Sequence, residues 1–105
     1  MTPADLAFQT LVNTLSAEPG ITYGEGKGFG SRALKSHGKI FAMVARHGLL
    51  VMKLPRARVD ELVTAGLGHN FTAGHGKATK EWLEFDTIPD NVLDLGREAA
   101  RYASA

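Results

Sequence analysis

The 105-residue chain contains no cysteine. That absence removes disulfides, thiolate nucleophiles and cysteine-based zinc or iron–sulfur sites together, and it fits a reducing cytoplasm. No apolar run approaches the ~20 residues that span a bilayer. The longest, over 40–54, is interrupted by Arg46, His47 and Gly48. The first residues carry Asp5 and no base, so they lack the positive start of a secretory signal. Repeats, linkers and low-complexity tracts are missing too. What remains, 44% apolar and 22% charged, is the balance of a folded protein. The length suits one domain over 1–105 with one core, cytoplasmic and without a membrane segment.

Acidic residues are absent from a long window. Residues 26–59 hold no Asp or Glu, yet they hold Lys27, Arg32, Lys35, Lys39, Arg46, Lys53, Arg56 and Arg58. The first 25 residues hold no base, and residues 60–105 carry eight acids against four bases. The net charge of +1 therefore hides a dipolar molecule whose middle segment can hold an anion such as a phosphate backbone. Charges of this kind also serve simply as solvated strand edges that discourage aggregation.

The pattern of apolar residues assigns the elements. Leu6, Leu11, Val12 and Leu15 predict an amphipathic helix over 3–17, capped by Thr2, opened by Pro3 and stopped by Pro19-Gly20. His37-Gly38 and His47-Gly48 read as two-residue hairpin turns, because glycine accepts positive φ without steric cost. Those turns set Leu34 opposite Phe41, Phe41 opposite Leu54, Met43 opposite Met52 and Ala45 opposite Leu50, all on one face. The other face then carries Lys35, Ile40, Ala42, Val44, Val51 and Lys53. Pro55 starts a second helix with Val59, Leu62 and Val63 inward and Gly66 as its stop. Residues 68–76 read as a loop, and 80–86 as a strand with Trp82 and Leu83 on opposite faces. Pro89 opens a last helix striped by Val92, Leu95, Ala99 and Tyr102. The order is α-β-β-β-α-β-α, with room for an extra strand around Ile21 or Phe71. This is an α+β fold, an antiparallel sheet built on a β-meander and flanked by helices.

Motifs for chemistry are few. The glycines of GEGKGFG at 24–30 fall at intervals of two, so they do not form G-x-G-x-x-G. Five residues separate Gly20 from Gly26-Lys27, one too many for a P-loop. His37 and His47 read as turn residues, while His69 and His75 lack a carboxylate at ligand spacing, so no metal site is expected. There is no G-x-S-x-G elbow; Ser16, Ser31 and Ser36 sit at helix-end or loop positions. Glu81 and Glu84 point to opposite faces of their strand and cannot act as a pair. The expectation is a protein that is not an enzyme, with no catalytic residue and no cofactor. Trp82 follows Lys77 and Lys80, a grouping that can stack on a base or a ring, although a single strand tryptophan is more often core.

GKIFA at 38–42, KLP at 53–55 leading to Ala65-Gly66, then GHG at 74–76 and KEW at 80–82 recur in an order with a family likeness. Together they resemble the TfoX N-terminal-domain-like family and are similar to the related MmcQ/YjbR-like proteins. The likeness runs over about residues 30–85. It implies an antiparallel sheet flanked by helices, a cytoplasmic bacterial-type protein, and no known catalysis. TfoX proteins are competence regulators, and MmcQ/YjbR-like proteins are often labelled DNA-binding.

Function is therefore expected from binding. The leading expectation is an accessory or regulatory module that takes a protein or anionic partner through Lys27, Arg32, Lys35, Lys39 and Lys53. Lys77, Lys80 and Trp82 form a second cluster. Direct, weakly sequence-specific DNA binding is the alternative, and scattered charges of this kind give salt-sensitive contact without base readout. The helix over 55–65 carries Asp60 and Glu61 in its middle, so it is not a groove-reading helix. The chain is expected as a monomer or as a homodimer through the sheet face around Val44 and Val51.

Overall fold

The computed structural model describes residues 2–25, 32–45, 48–72 and 78–104. Three helices and six strands follow in the order α1 (Pro3–Leu15), β1 (Ile21–Glu25), β2 (Arg32–Ser36), β3 (Lys39–Val44), β4 (Leu50–Lys53), α2 (Arg56–Thr64), β5 (Gly68–Thr72), β6 (Ala78–Phe85) and α3 (Val92–Ser104). The strands form one antiparallel sheet, ordered β1-β2-β3-β4-β6-β5. The fold is α+β as expected, and both sites considered for an extra strand, Ile21 and Phe71, lie in strands. Residues 68–72, expected as loop, pair with β6 as an edge strand. Their sequence GHNFT has too little apolar alternation to announce a strand.

Helix α1 starts with a reciprocal cap. The Thr2 hydroxyl accepts from the Asp5 backbone N–H at 3.1 Å, and the Thr2 N–H donates to the Asp5 carboxylate at 3.2 Å. Ala4, Ala7, Phe8, Leu11 and Leu15 make its buried face. Leu6, assigned to that face from the sequence, is 56% exposed instead. A stripe through Ala4, Ala7 and Phe8 keeps the helical period better than one through Leu6. The helix stops at Leu15, two residues short of the expected end, and Pro55 caps α2 rather than opening it. All three helices contact one face of the sheet, and their apolar sides join Leu34, Phe41, Ala42, Leu50, Met52, Leu54, Leu83 and Phe85 in the main core.

Both hairpin registers differ from expectation by one residue, for two separate reasons. The first turn forms at His37-Gly38, with φ of 50° and 84°. Pairing then steps from Lys35 opposite Ile40 to Leu34 opposite Ala42, which leaves Phe41 as the extra residue of a β-bulge. Phe41 and Ala42 are consecutive, yet both enter the main core. In the second hairpin, the Ala45 N–H donates to Leu49 C=O at 2.9 Å and the Gly48 N–H donates to Ala45 C=O at 2.8 Å; Arg46 and His47, the latter half of the expected turn dipeptide, lie outside the described residues. Gly48, at φ 92°, closes the turn. Met43 therefore faces Val51, and Ala42 faces Met52.

This shift redistributes the faces. Ala42 and Val44 turn toward the helices, while Met43 joins Ala33 and Val51 in a second apolar cluster on the helix-free face. Ile40, Ala45, Phe71 and Trp82 pack around that second cluster. The homodimer surface expected around Val44 and Val51 does not exist as one face, because the two residues lie on opposite sides of the sheet. Among the described residues, no helix is long and apolar enough to cross a membrane.

Candidate binding surface

Strand pairing sets the helix-free face in rows. One row runs Ala33, Met43, Val51, Glu84, His69 across β2, β3, β4, β6 and β5. In the next, Lys35 lies opposite Ile40 and Lys53 opposite Trp82. Paired side chains share a face, so Lys35, Lys53 and Trp82 stand on the side away from the helices. Lys80, two residues before Trp82 on β6, is exposed. Residues from the two sequence clusters thus meet on one surface.

The Lys53 ammonium lies 6.0 Å from the centre of the half-buried Trp82 ring. A cation above an indole face at this range is stabilised by about 0.5–1 kcal/mol when exposed. Lys39 is exposed at the start of β3 beside the first turn. Of the remaining candidates, Lys27 and Lys77 lie outside the described residues, and Arg32 is placed by its backbone alone, at the start of β2. Among the described residues, no carboxylate is paired with Lys35, Lys39, Lys53 or Lys80.

Acidic charge is consumed elsewhere. Arg58 of α2 forks onto Glu98 of α3 through Nε and Nη2, both at 3.2 Å, and reaches Glu61 at 3.3 Å. Hydrogen bonding to Glu98 holds the Arg58 pKa above its ordinary value. Arg97 of α3 contacts Glu18 at 3.4 Å. Glu81 points to the helix side of β6, where its bond to Tyr102 raises the phenol's pKa. Glu81 and Glu84 do lie on opposite faces, as the alternation of a strand requires.

The structure corrects the reading of His69. It has two carboxylates within reach: Nε2 lies 2.7 Å from Glu84 Oε1, and Nδ1 lies 3.0 and 3.2 Å from the two Asp86 oxygens. Both contacts are hydrogen bonds only if both ring nitrogens donate, which requires the imidazolium. The His69 pKa is accordingly raised, by Asp86 first and by Glu84 as well, against a lowering from partial burial. Glu84 is only 5% exposed. The carboxylates escaped a search by sequence spacing because they stand 15 and 17 residues away, across a strand pair.

This contact carries a pH dependence with a definite sign. A raised native pKa means the imidazolium's contribution is complete below the unfolded value of about 6.5 and fades as pH climbs through the native value. Urea titrations should show His69→Gln less stable than the parent at about pH 6, with the gap closing in mildly alkaline buffer. A gap that widens with pH would refute the imidazolium assignment.

Comparison with protein-family models, with curated proteins and with solved structures finds no match to this chain.

Proposed function

We propose that the chain is a non-catalytic binding module whose helix-free sheet face takes an anionic partner. The observation that carries this reading is the charge segregation. Lys35 and Lys53 share a face with Trp82 and an apolar patch, whereas Arg58 and Arg97 on the helices are already paired with acids. Glu84, the carboxylate that reaches this face from β6, is engaged by His69. A polyanion approaching the sheet meets cations that, among the described residues, have no carboxylate to give up, beside an aromatic ring and aliphatic surface.

Nucleic acid is the second reading, favoured by Trp82 with Phe71 beside it on a sheet, an arrangement suited to stacking unpaired bases. We propose family membership on the same footing. Of the motifs that resemble the TfoX N-terminal-domain-like family, GKIFA enters β3, KLP leads from β4 into α2 and KEW lies on β6, while GHG at 74–76 lies outside the described residues.

Fluorescence anisotropy with a labelled oligonucleotide and with long-chain polyphosphate tests the proposal. Three or four neutralised phosphates predict an affinity loss on the order of tenfold to a hundredfold between about 50 and 200 mM salt. The double variant Lys35→Ala, Lys53→Ala should weaken binding by about tenfold at low salt. If neither polymer binds at about 50 mM salt, the reading is wrong. Binding to polyphosphate alone would retain the anionic surface and remove nucleic acid.

A further inference from the structure

On the helix side, away from the surface just described, a cleft of about 210 Å³ opens between the α1–β1 connection, the first hairpin turn and α3. Its lining includes Glu18, Ser36, His37, Arg97, Arg101 and Ser104. The residues come from separate parts of the chain, and the fold brings them together because Ile21 pairs with Ser36 at the end of the β1–β2 ladder.

Two features set this cleft apart from a surface dimple. Ser36 is 3% exposed, one of the few buried polar residues, and it lies in the cleft lining. The same lining carries Arg97 and Arg101, one helical turn apart on α3. Arg101 has no ion pair among the described residues. Arg97 is held loosely, with single contacts to Glu18 at 3.4 Å and Asp94 at 3.7 Å rather than a fork. The His37 ring is pinned as a wall: it lies so close to Gly20 that a Cβ there would stand 2.7 Å from Nε2, and its backbone N–H donates to Gly20 C=O at 2.8 Å.

We propose that this cleft binds a phosphoryl dianion, with Arg97 and Arg101 as charge partners and the Ser36 hydroxyl as a donor from the floor. Guanidinium groups match the geometry of phosphate oxygens, and a nearby hydroxyl completes a donor set from three directions. The carbonyl end of α3 opposes an anion here. Arg101 in its last turn offsets that field, and the Ser104 hydroxyl caps the Arg101 carbonyl at 3.0 Å. Glu18 is the resident competitor: its carboxylate occupies Arg97 until the ligand displaces it.

The competitor makes the test specific. Amide chemical shifts of Ser36, His37 and Arg101 are followed while inorganic phosphate is added at constant ionic strength, with phenyl phosphate in a parallel arm. Saturable shifts are expected. Arg101→Gln, an exposed position that leaves the core intact, should weaken binding about tenfold, the loss expected for one charge-assisted bond. Glu18→Gln should tighten it, and Lys35→Ala with Lys53→Ala should leave it unchanged, which separates this cleft from the sheet face. Tighter binding of phenyl phosphate identifies a monoester as the natural source; equal or weaker binding identifies free phosphate. Shifts that fail to saturate, that sodium chloride reproduces, or that survive Arg101→Gln overturn the proposal. So does weaker binding by Glu18→Gln.

Discussion

Gly68→Ala should destabilise the protein by about 3 kcal/mol or more, because overpacking here meets backbone rather than a movable side chain. Gly68 pairs with Phe85 at the start of β5, and a Cβ at that position would run into the Glu84 carbonyl oxygen and crowd the Phe85 Cα. Neither atom can move without breaking the β5–β6 ladder. The same strand carries His69, so the contacts to Glu84 and Asp86 would be disturbed together. Gly96→Ala in α3 is the matched control. There the added Cβ meets the Leu11 Cδ2 at 2.6 Å, the end of a side chain. Helix propensity returns about 1 kcal/mol for Gly→Ala, so the net loss should stay near ~1 kcal/mol. Urea midpoints with unchanged slopes would measure both. Equal effects would mean the β5 edge is not packed as described.

Phe41→Ala should cost about 3–5 kcal/mol, the range for deleting a buried phenyl ring. Phe41 is fully buried, and it is the residue that the bulge adds to β3. Its ring and Ala42 both enter the core under the helices, a combination that plain alternation forbids. Met43→Ala probes the other face, where the side chain packs only with Ala33, Val51 and their partly buried neighbours. Its cost should sit at about 2 kcal/mol, the low end for Met→Ala. Denaturation of the two variants side by side would show the difference; a larger loss for Met43 would contradict the register.

How far the sequence could be read follows from which signals are local. Helix caps, proline stops and apolar periods depend on neighbouring residues, so α1, α2 and α3 were legible to within a few residues. The α+β class was legible as well, because short glycine turns demand antiparallel neighbours. Register was not. A one-residue change in the length of the turn between β3 and β4 changes nothing in the apolar pattern. A bulge at Phe41 is likewise invisible when every residue from Ile40 to Ala45 is apolar. Both faces of that stretch look buried, and both are. The charge window of 26–59 pointed to Lys35 and Lys53, and the aromatic segment pointed to Trp82. Their convergence depends on β6 inserting between β4 and β5, a long-range choice that no local signal encodes. The partners of His69 were missed for the same reason, and Ser36, read as a loop residue, closes β2 and is buried.

The lone tryptophan makes the central claim directly measurable. Trp82 is held against Lys53 on the proposed surface, so its fluorescence reports occupancy of that surface and of nothing else in the chain. Titration with polyphosphate in low salt should change its emission along a saturating curve, and added sodium chloride should reverse the change. Binding detected by anisotropy while Trp82 emission stays constant would place the partner elsewhere and contradict the account.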